Sequence, residues 1–291
     1  MIESPGIYDV PHDVYHADPC IVPSLSRGTI KTLINQTPAH ARHNHPRLNP
    51  CYQPDDGNGK FDVGTASHSI LLEGIDNVEV IEADDWRTKA AKEARDLARA
   101  NGKTPLLEHQ FEAVKKCVLR VEEQIYSCKE LGISNLMADG DHEQSFFWQE
   151  NSTWMRSRTD WMSKDRKLII DLKFTEMSVN PSDLARHILS MGGDIQAAFY
   201  SRGAERITGI KPKFVFVYAE VREPFVCSFI GLPPEFLALG ESKADYGIYL
   251  WRQCTTKNEW PAYPLRICYP DLPGYASAAW EIKAAEMGVG K

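Results

Sequence analysis

The chain has no two cysteines in a CxxC spacing, no apolar run near the roughly 18 residues that a bilayer span needs, and no surplus of positive charge. Each absence removes a class of protein. The seven cysteines, at 20, 51, 117, 128, 227, 254 and 268, are odd in number and scattered. They support neither a disulfide scaffold nor a zinc site nor an iron–sulfur cluster. Cys117 and Cys128 fall in a helical pattern and read as small buried hydrophobes. The start, MIESPGIYDV, has no basic stretch followed by an apolar one, so the expectation is a cytoplasmic protein with no membrane contact. A net charge of −7 excludes coating nucleic acid through a diffuse basic surface, while leaving room for a local basic groove. GNGKF at 57–61 lacks both the earlier glycine and the Ser or Thr that a P-loop requires, so no ATP is called for. No internal repeat or low-complexity tract divides the chain.

What is present is a globular composition. The 291 residues are 43% hydrophobic and 25% charged, enough for a full core in a single domain over 1–291. Within it, 1–60 reads as an N-terminal helix and loop, 61–260 as the core, and 261–291 as an irregular tail. SLSRGTIKTLINQTP reads as a helix begun by Ser24 or Ser26 and stopped by Pro38. The stretch 44–60 is dense in Pro, Asn, Asp and Gly and reads as a loop, and GTASHSILLEG as a helix between Gly64 and Gly74. A polar helix ends near Gly102, and another opens at Thr104 and Pro105, with Phe111, Val114, Val118, Val121, Ile125 and Cys128 as its core stripe. HARHNHPR, with His40, His43 and His45, reads as a solvated or phosphate-facing segment rather than a metal site.

From 142 the period becomes two. HEQSFFWQ, TWMRSRTDWM and LIIDLKF form a meander with turns at Asn151–Ser152 and SKDRK. A helix around GGDIQAAFYSRGAERI follows, then strands KFVFVYAEV and PFVCSFIGL, then a helix from Pro234 toward Trp251. The fold class is α/β, a mixed sheet flanked by helices. Lys and Arg concentrate between 154 and 173, where Arg156, Arg158, Lys164, Arg166, Lys167 and Lys173 fall within twenty residues and mark the candidate local basic groove.

In LIIDLKF the alternation puts Leu168, Ile170 and Leu172 on one face, a core, and Ile169, Asp171 and Lys173 on the other. A turn centred on Asp165 and Arg166 sets Asp160 opposite Asp171, with Cβ atoms roughly 4.5–5.5 Å apart. Two carboxylates that close call for a cation, and Mg²⁺ suits an all-oxygen set that keeps waters for a phosphate. Lys173 is then placed to orient or deprotonate a water and to offset phosphate charge. Gln196 and Tyr200, at i and i+4 on the following helix, can reach the water, a phosphate or a base. On the residues alone, His68 beside Leu71 and Leu72 reads as packed.

Taken together, GTASHSILLEG with His68, HEQSFFW with Glu143, RSRTDW with Asp160, IIDLKFT with Asp171 and Lys173, and DIQAAFY with Gln196 and Tyr200 resemble the motif series of the PD-(D/E)xK nuclease superfamily. Within it they are most similar to the RecE-type exonucleases (exodeoxyribonuclease VIII) of prophages, a likeness that SLSRGTIKTLINQTPAH and KNEWPAYP extend over most of the chain. No Pro precedes Asp160, a departure common in that branch. The resemblance implies that His68, Asp160, Asp171 and the carbonyl of Leu172 hold Mg²⁺, for which Mn²⁺ can substitute. It implies that Asp160, Asp171, Lys173 and Gln196 carry the chemistry, that Arg156, Arg158 and Tyr200 contact DNA, and that Glu143, with His142 or Gln144 as alternatives, assists. It further implies ATP-independent 5′-to-3′ digestion of double-stranded DNA ends, leaving 3′ tails for annealing-type recombination. A ring-shaped homo-oligomer and a single-strand annealing partner of the RecT type complete the expectation. The rivals are a RecB- or Cas4-like nuclease of other polarity, an endonuclease, and an inactive DNA-binding subunit on the same fold. The cysteines cannot supply the Cas4 cluster.

Overall fold

The computed structural model describes residues 1–53, 63–74 and 77–288. The GNGKF stretch and the end of the 44–60 loop lie outside them. The chain divides into two units, Met1–Pro261 and Ala262–Lys291. In the first, the elements run in chain order through β1 (Gly6–Tyr8), α1 (His12–His16), β2 (Leu25–Ser26), α2 (Arg27–Asn35), α3 (Pro38–His43) and α4 (Val63–Glu73). There follow β3 (Val78–Ile81), α5 (Lys89–Ala100), β4 (Thr104–Leu107), α6 (Glu108–Ser127) and α7 (Leu136–Asp139). The central meander is β5 (Gly140–Glu150), β6 (Thr153–Ser163) and β7 (Leu168–Thr175). Then come α8 (Pro181–Met191), α9 (Gly193–Thr208), β8 (Lys213–Glu220), β9 (Cys227–Gly231) and α10 (Pro234–Lys257). The second unit carries α11 (Gly274–Glu286), an alanine-rich helix where the sequence reading expected irregular chain.

The expected meander forms, and its partners make it the centre of a seven-stranded mixed sheet ordered β1-β5-β6-β7-β8-β9. β7 and β8 are parallel, joined through α8 and α9, and the other neighbours on that path are antiparallel. The seventh strand, β2, pairs parallel with β6 at Leu25–Met155 and Ser26–Arg156. β5 pairs along β6 from Gly140–Ser163 to Glu150–Thr153, so β2 and β7 share the other edge of β6. β7 pairs with β6 only at Trp161–Ile170 and Met162–Ile169. Between those two footholds the edge of β6 is open.

Alternation along β7 and β8 feeds two cores. Ile169, Phe214, Phe216 and Tyr218 pack with Ile30 and Leu33 of α2, Leu184 and Ile188 of α8, Ile195 and Phe199 of α9, and Ile248 and Trp251 of α10. Leu168, Ile170, Leu172, Val215 and Val217 pack with Leu71 and Leu72 of α4 and with Val114, Val118, Val121 and Ile125 of α6. Side chains such as Trp148 and Phe199, fully buried against each other with ring centroids 4.8 Å apart, each contribute about 2–3 kcal/mol through burial. The face of β7 that carries Asp171 is therefore a second buried face under helices and not an open one.

Local chemistry sets the helix ends. The Ser26 hydroxyl accepts the Thr29 N–H at the start of α2, which ends at Asn35, ahead of Pro38 as expected, and Pro38 also opens α3 behind the Thr37 cap. Thr104 and Pro105 do not begin a helix. Their segment pairs parallel with β3, buries Leu106 and Leu107, and yields to α6 at Glu108, where the Gln110 side chain accepts the Leu107 N–H. Gly192, at φ 72°, ends α8 and begins α9 in one residue, a left-handed turn that glycine adopts without strain. α10 approaches α9 so closely at Gly240 that an added Cβ would stand 2.1 Å from the Asp194 carbonyl oxygen.

Candidate active site

Asp160 lies one residue beyond the last β6–β7 ladder pair, and continuing that register places it opposite Asp171, as the turn arithmetic expects. The ladder ends there because the Asp160 carboxylate takes the strand's place: its Oδ2 accepts the Leu172 N–H at 2.7 Å. The same oxygen stands 3.2 Å from Nε2 of His68, carried in by α4. That helix is tied to the sheet by His142, whose two ring nitrogens meet the carbonyls of Leu72 and Leu136. His142 is thereby structural.

The neighbouring strand supplies a third donor. The β5–β6 register, continued through its one missing pair, sets Glu143 opposite Asp160, and at that position the backbone turns to φ 52°. A left-handed non-glycine residue inside a strand is sparsely populated, and here it aims a carboxylate. Arg158 Nε donates to Glu143 Oε2 at 2.5 Å. Ligand atoms of His68, Glu143 and Asp160 all lie within 4.8 Å of one another, the one such group among the described residues. Two carboxylates and an imidazole, partly buried and converging, fit a divalent cation that accepts oxygen and nitrogen.

Asp171 stands on the inner side. It is 2% exposed, with Lys173 Nζ 2.5 Å from Oδ1 and the Gln196 amide donating to Oδ2. Gln196 in turn accepts from Arg27 NH2 at 2.6 Å. Burial pushes Asp171 up to about 6; the Lys173 ammonium pulls against it and the Asp160 charge adds to it. Burial acts on Asp160 in the same direction, but the His68 hydrogen bond, the Lys173 and His68 charges and the Leu172 N–H together hold it below the usual carboxylate range. For Lys173 burial is outweighed by Asp171 and Asp160, so its pKa is raised and it is charged at neutral pH. His68 is likewise raised, burial being outweighed by Asp160 and Glu143.

These groups open on a cavity of about 480 Å³. His68, Glu143, Arg158, Asp160, Lys173 and Tyr200 line it, and so do His12, Tyr15 and His16 of α1. Burial pushes the Tyr200 hydroxyl up to about 12 and keeps it a neutral donor. The wall from α1 was not anticipated; its trace in the sequence is the i, i+4 histidine pair, whose rings sit 4.2 Å apart.

The basic segment does not act as one surface. Arg156 is 5% exposed and holds Ser24 and Asp18, with NH1 2.8 Å from the Ser24 carbonyl oxygen and 3.2 Å from Asp18 Oδ1. This corrects the expectation that Arg156 meets DNA: it is a buried tie between β6 and the N-terminal segment. His45, expected in a solvated stretch, is buried in the same knot, its Nε2 3.0 Å from the Ser24 carbonyl oxygen. Arg158 does reach the cavity, where it also donates to the Val10 carbonyl. Lys164, Arg166 and Lys167 lie at the β6–β7 turn, with Arg166 paired to Asp141 and Lys167 to Asp165.

The comparisons agree with this architecture. The family model described as "PDDEXK-like domain of unknown function (DUF3799)" matches residues 29–269. A crystal structure from Eubacterium rectale, named "Putative exonuclease", superposes with a TM-score of 0.58 at 13% identity, covering 94% of this chain and 99% of that one. The solved structure of SSO0001 reaches a TM-score of 0.27 at 16% identity over 69% of this chain and 96% of that one, too low to carry an argument. Among curated proteins the sequence finds no match.

Proposed function

Since the chain belongs to the PDDEXK-like DUF3799 family, we propose that it is a divalent-metal-dependent exonuclease that hydrolyses phosphodiesters at the ends of double-stranded DNA. The observation that carries this is the convergence of His68, Glu143 and Asp160 on one cavity with the Asp171–Lys173 pair beside them. The exonuclease name of the Eubacterium rectale neighbour agrees with it. No helix among the described residues is long and apolar enough to cross a membrane.

His68, Glu143 and Asp160 would hold the cation, with Asp171 and the Leu172 carbonyl as the further donors that the motif likeness adds. Mg²⁺ is the metal proposed, and when bound it supplies Lewis-acid charge for the phosphate and acidifies a water. Lys173, kept protonated by Asp171 and Asp160, orients the attacking water by hydrogen bonding and offsets charge on the phosphate. A base role for it would need the opposite shift. Asp171 keeps that ammonium aimed, and Gln196 keeps Asp171 in place. Tyr200 and Arg158, on the cavity wall, are the groups available to a phosphate. The 5′-to-3′ polarity, the ring and an annealing partner of the RecT type enter the proposal through the motif likeness alone.

The test is digestion of linear duplex labelled at its 5′ or 3′ end, beside covalently closed circular duplex, with Mg²⁺ or EDTA. The expected result is metal-dependent loss of linear DNA from the 5′ ends while circles survive. No cleavage with any divalent metal would refute the nuclease reading, and nicking of circles at the linear rate would make it an endonuclease.

A further inference from the structure

Arg27 lies two residues before the family match begins, on the first turn of α2, yet it reaches the inner side of the site. It connects to the reacting strand through one intermediary. Its NH2 donates to Gln196 Oε1 at 2.6 Å, and the Gln196 amide nitrogen donates to Asp171 Oδ2, whose other oxygen stands 2.5 Å from Lys173 Nζ. Chemistry fixes the direction of this chain. A guanidinium only donates and an ionised carboxylate only accepts, so the amide between them can satisfy both in one orientation. Gln196 is 3% exposed, hence water cannot replace either partner cheaply.

From this geometry we infer that Arg27 is a positioning residue: it locks the Gln196 amide with its NH2 toward Asp171 and so fixes the Asp171–Lys173 pair. Without Arg27 the amide keeps only its bond to Asp171 and is no longer held at its other end, so the Gln196–Asp171 contact loosens and Asp171 is less firmly fixed. The consequence for rate rests on the nuclease reading, but the orientation itself does not.

Two measurements separate the two. In ¹⁵N-labelled protein the Gln196 side-chain amide, identified by its loss in Gln196→Ala, should shift and exchange faster with solvent in Arg27→Met, and return toward wild type in Arg27→Lys, which keeps one donor. An amide signal unmoved in Arg27→Met overturns the inference whether or not the protein cleaves DNA. In the digestion assay, Arg27→Met should lower kcat about tenfold with KM within twofold and a melting temperature lower by only a few degrees, and Arg27→Lys should recover most of it. In a Gln196→Ala background Arg27→Met should have no further effect, because residues acting through one another are not additive. Additive losses, or a raised KM with kcat intact, would put Arg27 on the DNA itself and overturn the positioning role. Wild-type protein inert on all DNA would refute the nuclease reading and leave the amide result to decide this one.

Discussion

Asp160 and Asp171 face each other across one open strand edge, and their surroundings drive them apart. Asp160 sits at the cavity with His68, Glu143 and the Leu172 N–H, and is held below the ordinary carboxylate range. Asp171 sits 2% exposed beneath α9 with Lys173 and Gln196, and is pushed up to about 6. The same side chain is thus prepared for two tasks. On the outer side the charge stands where the proposed cation would bind, while on the inner side a buried carboxylate is paired with a lysine. Pairs of acids whose environments separate their affinities for protons are a recurrent mark of catalytic sites.

The comparison breaks most sharply in the rate of hydrolysis. Asp160→Asn, Asp171→Asn and Lys173→Met should each reduce cleavage of linear duplex by about two to three orders of magnitude. A near-wild-type rate in Asp171→Asn would remove the inner side from the chemistry and leave the His68, Glu143 and Asp160 group to act alone.

A smaller effect is expected at His68, on the outer side. His68→Ala should raise the Mg²⁺ concentration needed for half-maximal cleavage by about ten- to a hundredfold, with partial rescue by Mn²⁺, which takes a poorer site. Titration of activity against each metal reads it. If the variant melts earlier but cleaves equally at every metal concentration, His68 is a packing residue.

Why one side was more legible than the other follows from the distance over which each is assembled. Asp160 and Asp171 are joined by a short turn, so alternation and turn length set their register, and Trp161 pairs with Ile170 as that arithmetic requires. The first hairpin obeys it too: a turn at Asn151–Ser152 sets Glu143 opposite Asp160, a step the sequence reading did not take. Arg27 is a different matter, meeting Gln196 across 169 residues, and no local period encodes that. Nor does alternation reveal that the wall over Arg156 is built from Asp18, Ser24 and His45, which turns a cation expected at the surface into a buried tie. At Thr104–Leu107, helix propensity and a parallel partner compete, and pairing with β3 prevails.

The smallest effect sharpens the comparison by sign. Asp171 binds its proton more tightly folded, at about 6, than unfolded, at about 3.9. Between those values the native state holds more protons, so this group's contribution to stability falls as pH rises from about 4 to about 6, and the full penalty stands at pH 8. Asp160 is depressed instead, so its contribution is present above the unfolded value and is lost as pH falls through the folded one. In EDTA at pH 8, Asp171→Asn should therefore melt above wild type and Asp160→Asn below it. The first shift corresponds to at most about 2–3 kcal/mol, or a few degrees. Below pH 4 Asp171→Asn should melt with wild type, since both side chains are then neutral, and the Asp160→Asn difference should shrink as its own carboxyl takes up a proton. Saturating Mg²⁺ should then favour wild type over Asp171→Asn, because a ligand that binds the folded state raises stability with the logarithm of its affinity. Thermal melts across pH with and without the metal decide it, and shifts of the same sign in both variants at pH 8 would mean that the two acids share one environment after all.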